Sequence, residues 1–330
     1  MREFDYQRAA DVAGAVALLG ADPDGRYLGG GTNLVDLMKA GVERPGRLVD
    51  IRELPLDRVE PTPEGGLLIG ATVTNADLAA HPEVRRRYPA LAHALLAGAS
   101  GQLRNMATVG GNLLQRTRCG YFTDATGPCN KRVPGSGCPA LEGEHHNHAI
   151  LGASEHCVAV HPSDMAVPLT AFDAVVRFET ADGPGELPLT EFYLPVGDTP
   201  QHETALPAGA LITGVVLPPA PVAARSRYRK VRERASYAFA VGSLAAALDV
   251  RDGVVHEARL AFGAVASRPW RARAAEDVLT GAPATPETYA AAADAELAAA
   301  RPLPHNGYKV TLMRNLVVAV LTELAEEAAR

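Results

Sequence analysis

The chain has 330 residues, a net charge of −6 and 47% hydrophobic residues, which fits a globular protein of two domains. The acidic balance speaks against nucleic acid, whose binders carry basic surfaces, and no apolar run is long enough to span a bilayer. Residues 1–11 lack the basic and then apolar blocks of a signal peptide, so no export signal is expected here. A cytoplasmic place and a periplasmic one, reached alongside a signal-bearing partner, both stay open.

In chain order, residues 3–6 predict a short strand and residues 9–19 a helix, from apolar residues at helical spacing. Residues 26–28 predict a strand that runs into Gly29, Gly30 and Gly31. Residues 32–40 predict a helix with Thr32 as its N-cap. Strands are expected at 47–51 and 67–72, then helices at 75–80 and 88–98. A second glycine-rich turn follows, with Thr108, Val109, Gly110, Gly111 and Asn112. Periodicity then disappears from about residue 115 to 153, an unusual length of structureless chain unless something orders it. It returns as a strand at 156–161, a helix at 164–172 and a strand at 174–180.

Residues 195–221 are rich in Pro and Gly, hold one strand candidate at 210–217, and predict a linker. Beyond it, strands at 227–231, 242–250 and 254–264 and helices at 270–279, 286–299 and 307–329 predict a three-stranded sheet with helices on one side. The domains are accordingly placed at 1–220 and 221–330, in an α+β chain.

Three glycines between a strand and a helix let a backbone approach a phosphate, and the helix start adds free N–H groups. A plain tight turn explains the same residues equally well. A P-loop is excluded, because no Gly-Lys-Ser/Thr follows. The dinucleotide fingerprint fails at its third glycine, where Leu34 stands, although Asp50 ends a strand about twenty residues on. The second loop changes the balance, since two anion cradles in one domain suit an extended diphosphate.

Cys119, Cys129, Cys138 and Cys157 all lie within 39 consecutive residues. Structural zinc usually draws on close Cys-x2-Cys pairs, which are absent, but His145, His146, His148, His156 and His161 could add nitrogen ligands. Four thiolates also satisfy an iron–sulfur cluster, while disulfides suit a smaller, secreted chain. Spacing alone leaves zinc and iron–sulfur open.

With these residues in hand, the chain resembles the FAD-binding medium subunits of the xanthine dehydrogenase/carbon monoxide dehydrogenase group. The resemblance rests on the loop from Leu28 to Leu34, the turn from Ala107 to Leu113, the stretch from His161 to Asp164 and the basic run from Tyr228 to Arg234. It covers nearly the whole chain. It implies a vanillyl-alcohol-oxidase (PCMH) type FAD-binding domain at 1–220, with a Cys-bearing insert at about 115–157, and a small C-terminal domain at 221–330. The insert is similar to that of bacterial, typically periplasmic, aldehyde oxidoreductases, and less so to that of hydroxybenzoyl-CoA reductase.

The resemblance implies that Leu28, Gly29, Gly30, Gly31, Thr32, Asn33 and Leu34 wrap the FAD pyrophosphate and that Thr108, Gly111 and Asn112 complete its cradle. It implies that Asp164 meets the ribityl chain, that the backbone near Ile212 flanks the flavin and that Lys230 sits beside the isoalloxazine. Read without it, Asp164 is a helix cap and Lys230 an exposed strand lysine. It implies a [4Fe-4S] cluster on Cys119, Cys129, Cys138 and Cys157. It further implies a small [2Fe-2S] subunit and a large molybdenum-pterin subunit as partners, with electrons leaving to an external acceptor. Arg116, Arg118, Lys131 and Arg132 crowd the insert and could raise the cluster's potential or meet an acidic partner. Rival expectations are an FAD subunit of another molybdenum hydroxylase, of the xanthine dehydrogenase or hydroxybenzoyl-CoA reductase type, a zinc-stabilised assembly subunit without redox activity, and a self-sufficient oxidoreductase.

Overall fold

The computed structural model describes residues 1–22 and 24–328. Three sheets follow one another along the chain. Strands β1 (Asp5–Arg8), β2 (Arg26–Leu28) and β3 (Arg47–Asp50) form a small parallel sheet in the order β1-β3-β2. Parallel neighbours need crossovers, and the helices Val12–Gly20 and Leu34–Lys39 provide them. Asp11 caps the first of these by accepting from Gly14 N at 2.6 Å.

Strands β4 (Val59–Pro61), β5 (Leu67–Gly70), β6 (Val175–Thr180), β7 (Gly183–Pro188) and β8 (Leu211–Leu217) form an antiparallel sheet in the order β4-β5-β8-β6-β7. The stretch expected to be a linker therefore supplies the central strand. Its residues Leu211, Ile212, Val215 and Leu217 are buried, and burial decides its place. The edge strand β7 was not foreseen, because Gly183, Pro184, Gly185 and Pro188 read as turn residues; proline is tolerated at an edge.

Strands β9 (Ser226–Val231), β10 (Gly242–Arg251), β11 (Val254–Gly263) and β12 (Trp270–Arg271) form the third sheet, antiparallel, in the order β12-β11-β10-β9. The three expected strands are thus joined by a two-residue edge strand, and the helix expected from 270 starts only at Arg273. Leu244, Ala246 and Leu248 face the helices Arg273–Leu279, Pro286–Leu297 and Tyr308–Ala328, while Ala245 and Ala247 enter the core of the preceding region. A sheet covered on both faces reads as a continuous apolar run, as residues 244–248 do. This packing brings β9 against the helix Pro89–Ala97. No helix among the described residues is long and apolar enough to cross a membrane.

The insert carries almost no ladder pairing. Residues 156–161, expected to be a strand, form only the isolated bridge Ser154–Cys157. Their backbone groups go instead to separate segments: Val158 O accepts from Ala149 N, and His161 N donates to Ala266 O.

Candidate functional site

The two glycine loops lie against each other. A Cβ on Gly30 would stand 1.7 Å from Met106 O, and one on Gly29 would stand 2.8 Å from Thr108 Oγ1. Only glycine allows that approach. Gly31 also takes a positive φ of 72°, which other residues adopt at a cost. The second loop is pinned to the large sheet. Val109 N donates to Val73 O at 3.0 Å, and Gly110 N to Ala71 O at 2.9 Å. Thr108 caps the short helix Val109–Leu113 by accepting from Gly111 N at 3.3 Å. Ile212 is buried on β8, its Cβ 3.7 Å from where a Gly110 Cβ would be.

Among the described residues, the N–H groups of Gly30, Gly31, Thr32 and Asn33 have no protein acceptor. Free N–H groups on a glycine loop at a helix start fit a diphosphate. The expected Thr32 cap is corrected: the helix begins at Leu34, and Asn33 holds the cap position without a side-chain bond. The Asn33 amide is used elsewhere. Its Oδ1 accepts from Arg116 N at 2.9 Å, and its Nδ2 is buried with no partner. Asn112 Oδ1 accepts from Ser163 Oγ at 2.6 Å and from Gln115 Nε2 at 2.7 Å. Leu28, the last residue of β2, pairs with Asp50. Arg52 and Tyr6 bond to both Asp50 oxygens, and the Asp50 side chain is 1% exposed.

Asp164 and Lys230 come from different domains and meet. Lys230 Nζ lies 2.7 Å from Asp164 Oδ2, with side chains 3% and 10% exposed. Tyr228, two residues before Lys230 on the same strand face, donates its hydroxyl to Asp164 Oδ1. Lys230 also reaches Ala97 O at 3.3 Å, at the C-terminal end of the helix Pro89–Ala97, where a cation is favoured. Burial pushes the Asp164 carboxyl up, and the Lys230 cation opposes that. Lys230 is therefore no exposed strand lysine. Nor is Asp164 the helix cap, since Ser163 Oγ accepts from Ala166 N at 3.0 Å. Tyr228 was missed in the sequence, although its i, i+2 spacing to Lys230 was there to read.

All four cysteines are free thiols and line one cavity with Phe122 and Ala140. The neighbouring Cys157 lowers the Cys138 thiol to about 6, and Cys138 together with burial raises the Cys157 thiol. Cys119 Sγ lies 3.2 Å from His148 Nε2, and burial holds that histidine neutral, with a pKa of about 4. Asn130 links three cysteine arms. Its Nδ2 donates to His156 O at 2.9 Å, its Oδ1 accepts from Gly137 N at 2.8 Å, and Cys129 is its chain neighbour. A single zinc ion would hold four ligands within about 2.3 Å of itself. Among the described residues no group of three or more His, Cys, Asp or Glu is placed to hold a metal ion. The four thiols face one cavity, which is where a metal group would sit.

The basic crowd does not form an open contact surface. Arg116 pairs with Glu203 at 2.7 Å and Glu43 at 2.6 Å, and buried Lys131 pairs with Glu203 at 2.7 Å. Arg132 reaches the carbonyls of Tyr121 and Ala125, and Arg118 stacks over Phe239.

Residues 2–220 match the FAD-binding domain of molybdopterin dehydrogenases, and residues 226–324 match the C-terminal domain of CO dehydrogenase flavoproteins. The chain belongs to this family. It is 50% identical over 330 residues to the aldehyde oxidoreductase FAD-binding subunit PaoB of Escherichia coli K12, covering 99% of this chain and all of that one. It is 28% identical to the nicotinate dehydrogenase FAD-subunit of Eubacterium barkeri, over 88% of this chain and 84% of that one. Among solved structures, carbon monoxide dehydrogenase from Hydrogenophaga pseudoflava, in a form lacking the Mo-pyranopterin moiety, matches with a TM-score of 0.75 at 26% identity, covering 97% and 96% of the chains. Quinoline 2-oxidoreductase from Pseudomonas putida 86 shares the fold, with a TM-score of 0.77 at 24% identity over 100% and 99%. As a member of this family the chain is a flavoprotein, and its activity is that of an oxidoreductase.

Proposed function

We propose that this chain is the FAD- and [4Fe-4S]-carrying subunit through which electrons leave a heterotrimeric molybdenum-dependent aldehyde oxidoreductase. The observation that carries the reading is the set of four free thiols round one cavity, in an insert bonded to the first glycine loop through Arg116 and Asn33. The likeness to the E. coli aldehyde oxidoreductase subunit supports the substrate class. The partners are a large molybdenum-pterin subunit, where the aldehyde is oxidised, and a small [2Fe-2S] subunit.

Bound FAD would supply the exchange between single electrons and electron pairs. The residues from Leu28 to Leu34 hold its pyrophosphate with their free N–H groups, and Thr108, Gly111 and Asn112 shape the facing wall. Asp164 accepts from the ribityl hydroxyls, and the backbone at Ile212 flanks the ring. Lys230 places a positive charge that favours the reduced, anionic ring. Cys119, Cys129, Cys138 and Cys157 ligate the cluster, whose potential is then set by burial and by hydrogen bonds to its sulfurs.

The test is anaerobic purification of the complex, with a visible spectrum and assays of iron and acid-labile sulfide. Flavin bands over broad iron–sulfur absorption, with about four irons on this chain and their loss in Cys119→Ala, are expected. Flavin without iron, or with zinc, overturns the cluster and retains the flavin. A colourless complex overturns both.

A further inference from the structure

Glu203 sits in the Pro-rich stretch before β8, a segment without an assigned role. Its two carboxylate oxygens bridge two cations from opposite parts of the cysteine insert. Oε2 accepts from Arg116 Nε at 2.7 Å, three residues before Cys119. Oε1 accepts from Lys131 Nζ at 2.7 Å, two residues after Cys129. Lys131 Nζ is also held by Pro200 O at 2.9 Å, from the same stretch as Glu203. Burial alone would push the Glu203 carboxyl up, but Lys131 and Arg116 outweigh it and hold it below the usual range.

Arg116 continues the connection to the first glycine loop and to the chain just beyond the helix it starts. Its backbone N–H donates to Asn33 Oδ1 at 2.9 Å, within that loop. Its guanidinium donates to Glu43 Oε1 at 2.6 Å, just beyond the helix Leu34–Lys39 that the loop starts. The same guanidinium stacks 4.6 Å over Phe122, which packs with Leu37 of that helix and with Cys119 and Cys129. Apolar packing thus sets the insert against the loop helix, and one carboxylate fixes its orientation.

We propose that Glu203 is a positioning residue, which holds the cysteine insert and the first glycine loop together as one unit. The proposal rests on the flavin and cluster reading above for its consequence, that the spacing between cluster and flavin is set from outside both ligand sets. Replacing Glu203 leaves Lys131 buried without a counter-charge, a change that loosens or expels the cation. A coupling of ordinary size corresponds to a change of about tenfold.

The experiment compares the purified wild-type complex with Glu203→Gln and with Glu186→Gln, an exposed glutamate on β7. Amide hydrogen exchange is followed in residues 34–43, the helix that the loop starts and the turn that carries Glu43, and in 116–133. In Glu203→Gln, both segments are expected to exchange about tenfold faster, with the flavin washed out more readily on gel filtration, while Glu186→Gln matches wild type. A second variant, Glu203→Gln with Lys131→Met, removes the stranded cation and carries the test if the single variant does not fold. There the unfolding midpoint recovers while exchange at 34–43 stays fast, a split that a merely structural role would not give. Exchange at 34–43 equal to wild type in the folded variants overturns the proposal. Because exchange needs no iron, a wild-type complex without iron overturns the cluster and leaves this proposal judged on exchange alone.

Discussion

Lys230 on β9 and Asp164 ahead of the helix Ala166–Ala171 form an ion pair across the domain boundary, 2.7 Å apart and almost wholly buried. Each stabilises the other only while both are present. Removing one leaves a buried charge, which typically costs about 3–5 kcal/mol, whereas removing both can be close to neutral. Lys230→Met is therefore expected to lower the denaturation midpoint sharply, and Lys230→Met with Asp164→Asn to recover much of the loss. A double variant no more stable than Lys230→Met would contradict the pairing.

The contact between the glycine loops makes a second expectation. Gly30→Ala drives a methyl into Met106 O, at 1.7 Å, so one loop must move. The protein should purify with little flavin and unfold earlier on heating. Gly120→Ala, whose added Cβ meets nothing within 4 Å, is the control and should keep its flavin bands.

Asn130→Ala leaves all four thiols in place and removes the amide that joins three of their arms. The unpaired partners left behind cost roughly 1–3 kcal/mol. Iron per chain should fall well below that of wild type, most of all after reconstitution from the apoprotein. Full iron content in this variant would show that the arms are ordered by the ligands alone.

Lys309 is fully buried, its ammonium held, among the described residues, only by the carbonyls of Asn147 and Ala264, each at 2.9 Å. Burial lowers its pKa to about 7, from the ordinary 10.5. Between those values the unfolded chain binds the proton and the folded chain does not, so stability rises with pH across that window. Below about 7 both states are protonated, and the penalty of burial is felt in full. Denaturation midpoints measured from pH 7 to 9.5 should climb in wild type and climb less in Lys309→Met.

Much of the architecture was legible because the apolar spacing is strong. The strand at 26–28, the helix at 75–80 and the last two helices lie within a residue or two of where periodicity puts them. The glycine loops were legible because close backbone approach admits no other residue. What failed was decided by distant partners. β8 lies among Pro and Gly, and only its burial between β5 and β6 makes it central. Residues 156–161 alternate like a strand but have no continuous partner. Glu203 and Asn130 carry no local signal of their bonds to residues 87 and 26 positions away. Arg116 and Lys131 looked like an open basic patch because Glu43 and Glu203 lie far off in the chain.

The order in which the chain is made has a consequence for the cysteines. β5 is synthesised before the insert, and β8, which must slot between β5 and β6, is the last strand of its sheet to appear. Until residues 211–217 leave the ribosome, β5 and β6 have no common neighbour, and Glu203 has not fixed Arg116 and Lys131. The four thiols therefore emerge on an unanchored loop and wait for some fifty residues or more of further synthesis, several seconds at ordinary elongation rates. If the four thiols hold the cluster proposed above, its loading would follow closure of the sheet, and the thiols would have to stay reduced until then.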